Sequence, residues 1–369
     1  MLTTTIFPGR YIQGYQAVRR LGPEAARLGR SGFLICSPTV FRQLLPDISS
    51  ALRPHLSIQV EKFGGECSDA EIGRLRDLAA QAGSEIIIGM GGGKVMDTAK
   101  AVAHLLQKPL IIVPTVAASD APCSAVSVVY TSSGVYDHPM PHPHNPDAVI
   151  VDSKIIGEAP VRFLVAGMGD ALSTWFEADS CRRKYAPNMT LTGDVGSMTA
   201  YALARLCYES LRKYGLKAKL ACEAKAVTPA LEHIIETNTL LSGLGFESCG
   251  IAGAHGIQIG FTALAPTHRY LHGEIVAFGT LASLFFTDHE NSLIDEVYSF
   301  CEAVGLPTTL SEIGLPEVTG EQLALVAATA LDKDNPIHNE PVPVTPQLIM
   351  DSIKAADHEG RMRKRKNSS

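Results

Sequence analysis

Residues 85 to 100 read EIIIGMGGGKVMDTAK, three consecutive glycines set between a β-branched run and a helix-like run. Ile86, Ile87 and Ile88 suit a strand buried on both faces, as in a parallel sheet. Met96, Ala99, Val102, Ala103 and Leu106 recur at helical spacing. The stretch therefore predicts strand, glycine turn and helix, the unit from which α/β folds are built. Two familiar phosphate motifs do not fit it. A P-loop needs glycine where Ile88 stands and a hydroxyl residue where Val95 stands. The dinucleotide fingerprint, started at Gly89 and Gly91, would need its third glycine at Lys94. Glycines without Cβ nevertheless let a backbone approach a ligand, and the helix that follows presents its first N–H groups. A turn kept glycine-rich for packing alone competes with this reading. Gly91, Gly92 and Gly93 followed by Lys94 favour a bound pyrophosphate.

The same strand-and-helix alternation extends outward over residues 31 to about 152, in the runs GFLIC, LSIQVEKF, PLIIVPT, SAVSVVY and AVIVD. Ser68 and Glu71 form a capping box for the helix through Leu75 and Leu78. In an open parallel sheet a ligand binds outside the carboxyl ends of the strands, where the glycine loop lies. Past residue 160 strand signals nearly vanish and long amphipathic segments take over, with Pro160 marking the boundary. The expectation is an α/β dinucleotide-binding domain over 1–160 and an all-α domain over 161–369.

The 369 residues, 46% of them apolar, are enough for two cores. A net charge of −6 and the lack of a basic stretch before the C-terminus argue against a nucleic-acid partner. The basic tail GRMRKRKNSS, residues 360–369, reads as a solvated helix end. No apolar run reaches the ~18 residues of a membrane span, and the first residues lack the charged and apolar regions of a signal peptide. A cytoplasmic protein is expected. Eight scattered cysteines without a C-x-x-C pair read as reduced, mostly buried thiols.

Polar residues interrupt the helical pattern in three places: Asp170 in AGMGDALSTWFEA, His255 in GIAGAHGIQIG and His272 in YLHGEIVAFG. Two histidines and a carboxylate leave a fourth tetrahedral position open, the arrangement of a catalytic zinc. A single histidine of this kind is more often a hydrogen-bonded core residue or helix cap, so the reading needs all three together. His138, His142 and His144 share the loop YDHPMPHPHNPD, whose prolines suit a rigid surface hairpin better than a metal site. The segment PTVAASDAPCSAVSVVY follows another strand and carries Thr115, Ser119, Asp120 and Ser124 toward the same strand ends. Asp120 serves equally well there as an N-cap or Asx turn before Pro122.

In order along the chain, GGGKVMDTAKA, PTVAASDAPCSAVSVVY, GMGDALSTWFEA, GFES before AHG, and HGEIVAFGTL resemble the glycerol dehydrogenase family. This is the zinc-dependent branch of the group III, iron-containing alcohol dehydrogenase superfamily, and the likeness covers nearly the whole chain. The resemblance implies the dehydroquinate synthase-like fold, with an α/β dinucleotide-binding domain, an all-α C-terminal domain and a cleft between them. It implies that Asp170, His255 and His272 hold the metal and take part in catalysis. Gly91, Gly92, Gly93, Lys94, Asp97, Thr115, Ser119, Ser124 and Tyr130 would then bind NAD, Asp120 a substrate hydroxyl, and Phe246 would line the pocket. Where the iron-dependent branch has a histidine four residues after the aspartate, this chain has Thr174, which favours zinc. Two departures stand out: Gln258 and Ile259 replace a frequent histidine and asparagine, and Cys36-Ser37-Pro38-Thr39 offers no carboxylate to a ribose hydroxyl. The implied reaction is reversible, zinc-assisted oxidation of glycerol to dihydroxyacetone with NAD, in a homo-octamer. Alternatives are a dehydrogenase of another vicinal diol or hydroxy acid, and a dehydroquinate synthase-like lyase, which would not accumulate NADH.

Overall fold

A computed structural model describes residues 2–367. The chain forms two compact units. One comprises residues 6–160 and 221–243, and the other the remaining described residues.

The first unit is built on a six-stranded parallel sheet. Its strands are β1 (Tyr11–Gly14), β2 (Ser31–Cys36), β3 (Ser57–Lys62), β4 (Ile86–Gly91), β5 (Leu110–Pro114) and β8 (Ala148–Asp152). Two more, β6 (Val126–Tyr130) and β7 (Tyr136–Pro141), form a separate antiparallel hairpin from the proline-rich stretch. The sheet order is β1-β8-β5-β4-β2-β3. The chain leaves β2 toward β3 and then returns to the other side of β2 for β4. That reversal is a topological switch point, and the glycine turn sits at the carboxyl end of one of its two strands. The strands β4, β5 and β8 are buried throughout, as their unbroken apolar runs require. The edge strand β3 has no buried residue and alternates more exposed and less exposed residues from Ser57 to Val60.

Residues 221–243 correct the boundary read from the sequence, which assigned everything after 160 to the helical part. Helix Pro229–Glu236 belongs with the sheet because Glu232 ties it there. Its carboxylate accepts from Gln13 Nε2 of β1 at 2.9 Å and from Ser153 Oγ at 2.6 Å. The helical periodicity of this segment shows that one face is buried but not against which partner. A second correction is local: Ser68 caps helix Asp69–Gln81 by accepting from Glu71 N, yet the Glu71 carboxylate turns to Gly64 N, so the capping box is half formed.

Helices make up the second unit. Helix His272–Phe286 is buried over nearly its whole length and packs against Val161–Lys184, Gly253–Phe261 and Pro346–Asn367. Apolar residues on every side mark such a helix as a core element. The basic tail is helical to Asn367 and is more than a solvated end. Arg363 pairs with Asp295 and Glu302 over the Tyr298 ring, while Lys364 pairs with Glu312. Ser368 and Ser369 lie outside the described residues. All eight cysteines are buried thiols, and no helix among the described residues is long and apolar enough to cross a membrane.

Candidate metal centre and cofactor loop

Asp170 lies in the middle of helix Val161–Lys184, His255 in the first turn of Gly253–Phe261, and His272 opens His272–Phe286. Three glycine contacts bring these helices together. A Cβ on Gly273 would fall 1.9 Å from the Ala166 carbonyl oxygen, and one on Gly169 would fall 2.3 Å from the Gly273 carbonyl oxygen. Next to His255, a Cβ on Gly279 would fall 2.4 Å from the Ala254 carbonyl oxygen. Backbone thus packs on backbone beside each of the three polar residues. As a result Asp170 Oδ1 faces His272 Nε2 at 3.3 Å and His255 Nε2 at 3.6 Å. One ligand atom from each residue lies within 4.8 Å of the other two.

Glu177 completes this arrangement and was not anticipated from the sequence. It stands seven residues after Asp170 on the same helix, two turns on and therefore on the same face. Its Oε2 lies 2.6 Å from His255 Nδ1, and its Oε1 accepts from the backbone N–H groups of Ala252 and His255 at 2.8 and 2.9 Å. A carboxylate on Nδ1 fixes the imidazole so that Nε2 is presented to a metal. Glu340 supports the same turn, accepting from Gly253 N and Ser180 Oγ, each at 2.7 Å. Burial raises the Glu340 carboxyl to about 7 against the lowering effect of those two bonds.

The charge balance fits a cation. Burial alone would raise the carboxyls of Asp170 and Glu177, but the imidazoles beside them outweigh it and hold both below the ordinary carboxylate value. Burial would likewise lower His255, and the carboxylates of Glu177 and Asp170 instead hold it well above the usual imidazole value. The pocket thus favours positive charge between the three donors, and two imidazoles with one carboxylate suit a divalent transition metal. Thr174, four residues after Asp170, packs its methyl where a Cβ on Gly245 would come within 2.4 Å.

At the glycine loop the structure separates packing from access. A Cβ on Gly91 would fall 2.8 Å from the Val95 side chain, so this glycine is needed for packing. Gly92 has only Val116 near, at 3.7 Å, and Gly93 has nothing within 4 Å. Neither has a positive φ. Their missing side chains therefore relieve no clash and no backbone strain; they leave open the N-terminus of helix Gly93–Leu106, which no side chain caps. Lys94, the second residue of this helix, pairs with Glu66 at 2.6 Å and lies over the Tyr130 ring.

Behind this loop lies a buried ammonium, that of Lys100. Lys100 donates to Asp97 Oδ1 (3.2 Å), Ala121 O (2.6 Å), Ser124 Oγ (3.0 Å) and Val126 O (2.9 Å). Asp97 also accepts from Val128 N, and burial still pushes its carboxyl up. Both Asp97 and Ser124, expected among cofactor contacts, are thus engaged inside the unit, clamping the start of the β6–β7 hairpin to the glycine-loop helix. Lys100→Met would keep the stem and leave a buried carboxylate and three acceptors without their shared donor. The expected loss is about 3 kcal/mol of stability, read as a lower urea midpoint. An unchanged midpoint would mean the cluster contributes nothing net.

Thr115 follows β5 and donates its N–H to the Gly91 carbonyl, joining the two loops. Ser119 and Asp120 are partly buried in the same segment. Asp120 stands at the N-cap of the short turn Ala121–Cys123 but makes no capping bond. Its Oδ2 instead accepts from Ser242 Oγ at 2.9 Å. Phe246 is partly buried on helix Ser242–Cys249 in the helical unit. The three histidines of the proline-rich stretch diverge: His138 lies by Asp137 and Asp69, His144 is exposed, and His142 is buried with Nε2 2.7 Å from Ser127 Oγ. Burial lowers His142 to about 3.

Residues 8–153 match the iron-containing alcohol dehydrogenase family. The chain is 57% identical over 364 residues to a glycerol dehydrogenase of Thermotoga maritima, covering 99% of both. Among solved structures, a probable glycerol dehydrogenase from Sinorhizobium meliloti 1021 is 43% identical with a TM-score of 0.92, over 98% of this chain and 100% of that one. The glycerol dehydrogenase of Schizosaccharomyces pombe is 38% identical with a TM-score of 0.94, over 100% of this chain and 93% of that one.

Proposed function

This chain belongs to the iron-containing alcohol dehydrogenase family, as one of its glycerol dehydrogenases, and we propose that it oxidises glycerol to dihydroxyacetone by zinc-assisted hydride transfer from C2 to NAD. The observation that carries the reading is the convergence of Asp170, His255 and His272, with a ligand atom of each within 4.8 Å of the others. These three residues would hold the zinc. Bound there, the cation would supply the acidity that an alcohol lacks at neutral pH.

The remaining roles fall to the chain's own groups. Glu177 holds His255 with Nε2 toward Asp170. Asp120 accepts a hydroxyl of the polyol, and Phe246 offers an apolar wall. Gly92 and Gly93 leave room for a pyrophosphate at the open N-terminus of helix Gly93–Leu106, with Gly91 shaping the turn beneath. Lys94, Thr115, Ser119 and Tyr130 join that cofactor set, and Asp97 and Ser124 support it through Lys100.

Glycerol-dependent NADH formation, measured before chelation, after chelation and after zinc is restored, tests the proposal. Activity should vanish on verified metal removal and return with zinc. Full activity in protein proven free of metal would overturn the metal assignment. Return with iron or manganese but not zinc would overturn the choice of ion.

A further inference from the structure

The segment 229–249 does not run as one α-helix. Between helices Pro229–Glu236 and Ser242–Cys249 it widens into a π turn, Thr237–Leu241, closed by the bond from Ser242 N to Thr237 O. A turn with one extra residue rotates everything after it by roughly 100° relative to α register. Here it directs two wholly buried side chains, Asn238 and Ser242, at the loop between β5 and β6. Asn238 Nδ2 donates to the Ala117 carbonyl at 3.0 Å, and Ser242 Oγ donates to Asp120 Oδ2 at 2.9 Å. Gly243 lets the backbones close up, since a Cβ there would lie 3.1 Å from the Asp120 carbonyl oxygen.

We propose that Ser242, delivered by this π turn, is a positioning residue that orients the Asp120 carboxylate toward a substrate hydroxyl. The proposal rests on the reading that Asp120 binds the polyol. The Asp120 carboxylate makes no capping bond within its own turn, and its direction decides what it can bind. Ser242 sets it from a different element. A carboxylate accepts up to about four hydrogen bonds, so one bond from serine orients the group and still allows another from substrate. Asn238 meanwhile holds the same loop by its backbone, three residues before Asp120. Asn238 thus acts on the loop backbone, and Ser242 on one side chain.

The experiment is a double-mutant cycle on the zinc-loaded enzyme with Ser242→Ala, Asp120→Asn and the pair. Ser242→Ala should raise KM for glycerol roughly tenfold, the value of a hydrogen bond to a charged group. KM for NAD should stay within about twofold and zinc content should be unchanged. In the Asp120→Asn background the same serine change should add nothing further. A shift in KM for NAD as large as that for glycerol, or full additivity of the two changes, would overturn the proposal and leave Ser242 a structural contact. If Asp120→Asn by itself leaves glycerol turnover and KM untouched, the substrate reading of Asp120 fails first, whatever Ser242→Ala does.

Discussion

Asp170→Asn is expected to abolish zinc binding and to lower kcat/KM for glycerol by roughly three orders of magnitude, the several kcal/mol that a Lewis acid supplies. The substitution preserves size at a position 1% exposed, so packing changes little. What changes is charge. The carboxylate faces Nε2 of both histidines, and a neutral amide neither balances a dication nor binds it strongly. Glu177→Gln provides the contrast: it touches His255 but faces its other nitrogen, so it should weaken zinc affinity about 10- to 100-fold without removing the site. Zinc per chain, measured by elemental analysis after gel filtration, and glycerol kinetics at saturating zinc separate the two variants. Wild-type zinc content and turnover in Asp170→Asn would sink the metal assignment.

Gly273→Ala should be as damaging although it adds a single methyl and touches no ligand atom. The new carbon would sit 1.9 Å from the Ala166 carbonyl oxygen and 2.9 Å from Asp170 N. Both neighbours are backbone, so no rotamer change relieves the overlap and the helices must separate. Overpacking usually costs 1–3 kcal/mol; with rigid backbone on both sides the expected loss here is about 4 kcal/mol or more. Separation would also draw His272 away from Asp170, so zinc affinity should fall along with the thermal unfolding midpoint. Gly93→Ala is the control, because a Cβ there meets nothing within 4 Å and the residue follows an ordinary N-cap. It should leave stability near wild type and act, if at all, on KM for NAD. A Gly273→Ala protein with unchanged midpoint and zinc content would show that the close helix contact does not set the geometry.

How much of this could be read beforehand differs from residue to residue. Ile86 to Ile88, the glycine turn and the helix after it are local, and their β-branching and helical spacing specify them without reference to the rest of the chain. Glu177 was findable: a glutamate seven residues after a candidate ligand on a predicted helix must share its face. Lys100 was findable too, since it follows Asp97 by three residues on a helix whose other buried positions, Thr98 apart, are apolar. The half-formed capping box at Ser68 and the rerouted Asp120 carboxylate were not, because in both the side chain chose a partner outside its own turn.

The sequence by itself determined the order of elements, an α/β part followed by a helical part, the open N-terminus at Gly92 and Gly93, and the identity of the three metal-site candidates. Each of these follows from residue type and short-range periodicity, which act over a few neighbours. Only the tertiary structure decided that residues 221–243 return to the sheet, that a π turn aims Ser242 at Asp120, and that Asp170, His255 and His272 meet. Those outcomes depend on which buried faces fit together. At the metal-site candidates the fit comes from missing atoms at Gly169, Gly273 and Gly279, where one backbone rests on another. A glycine in the sequence shows that a side chain is absent, and only the folded chain shows what occupies its place.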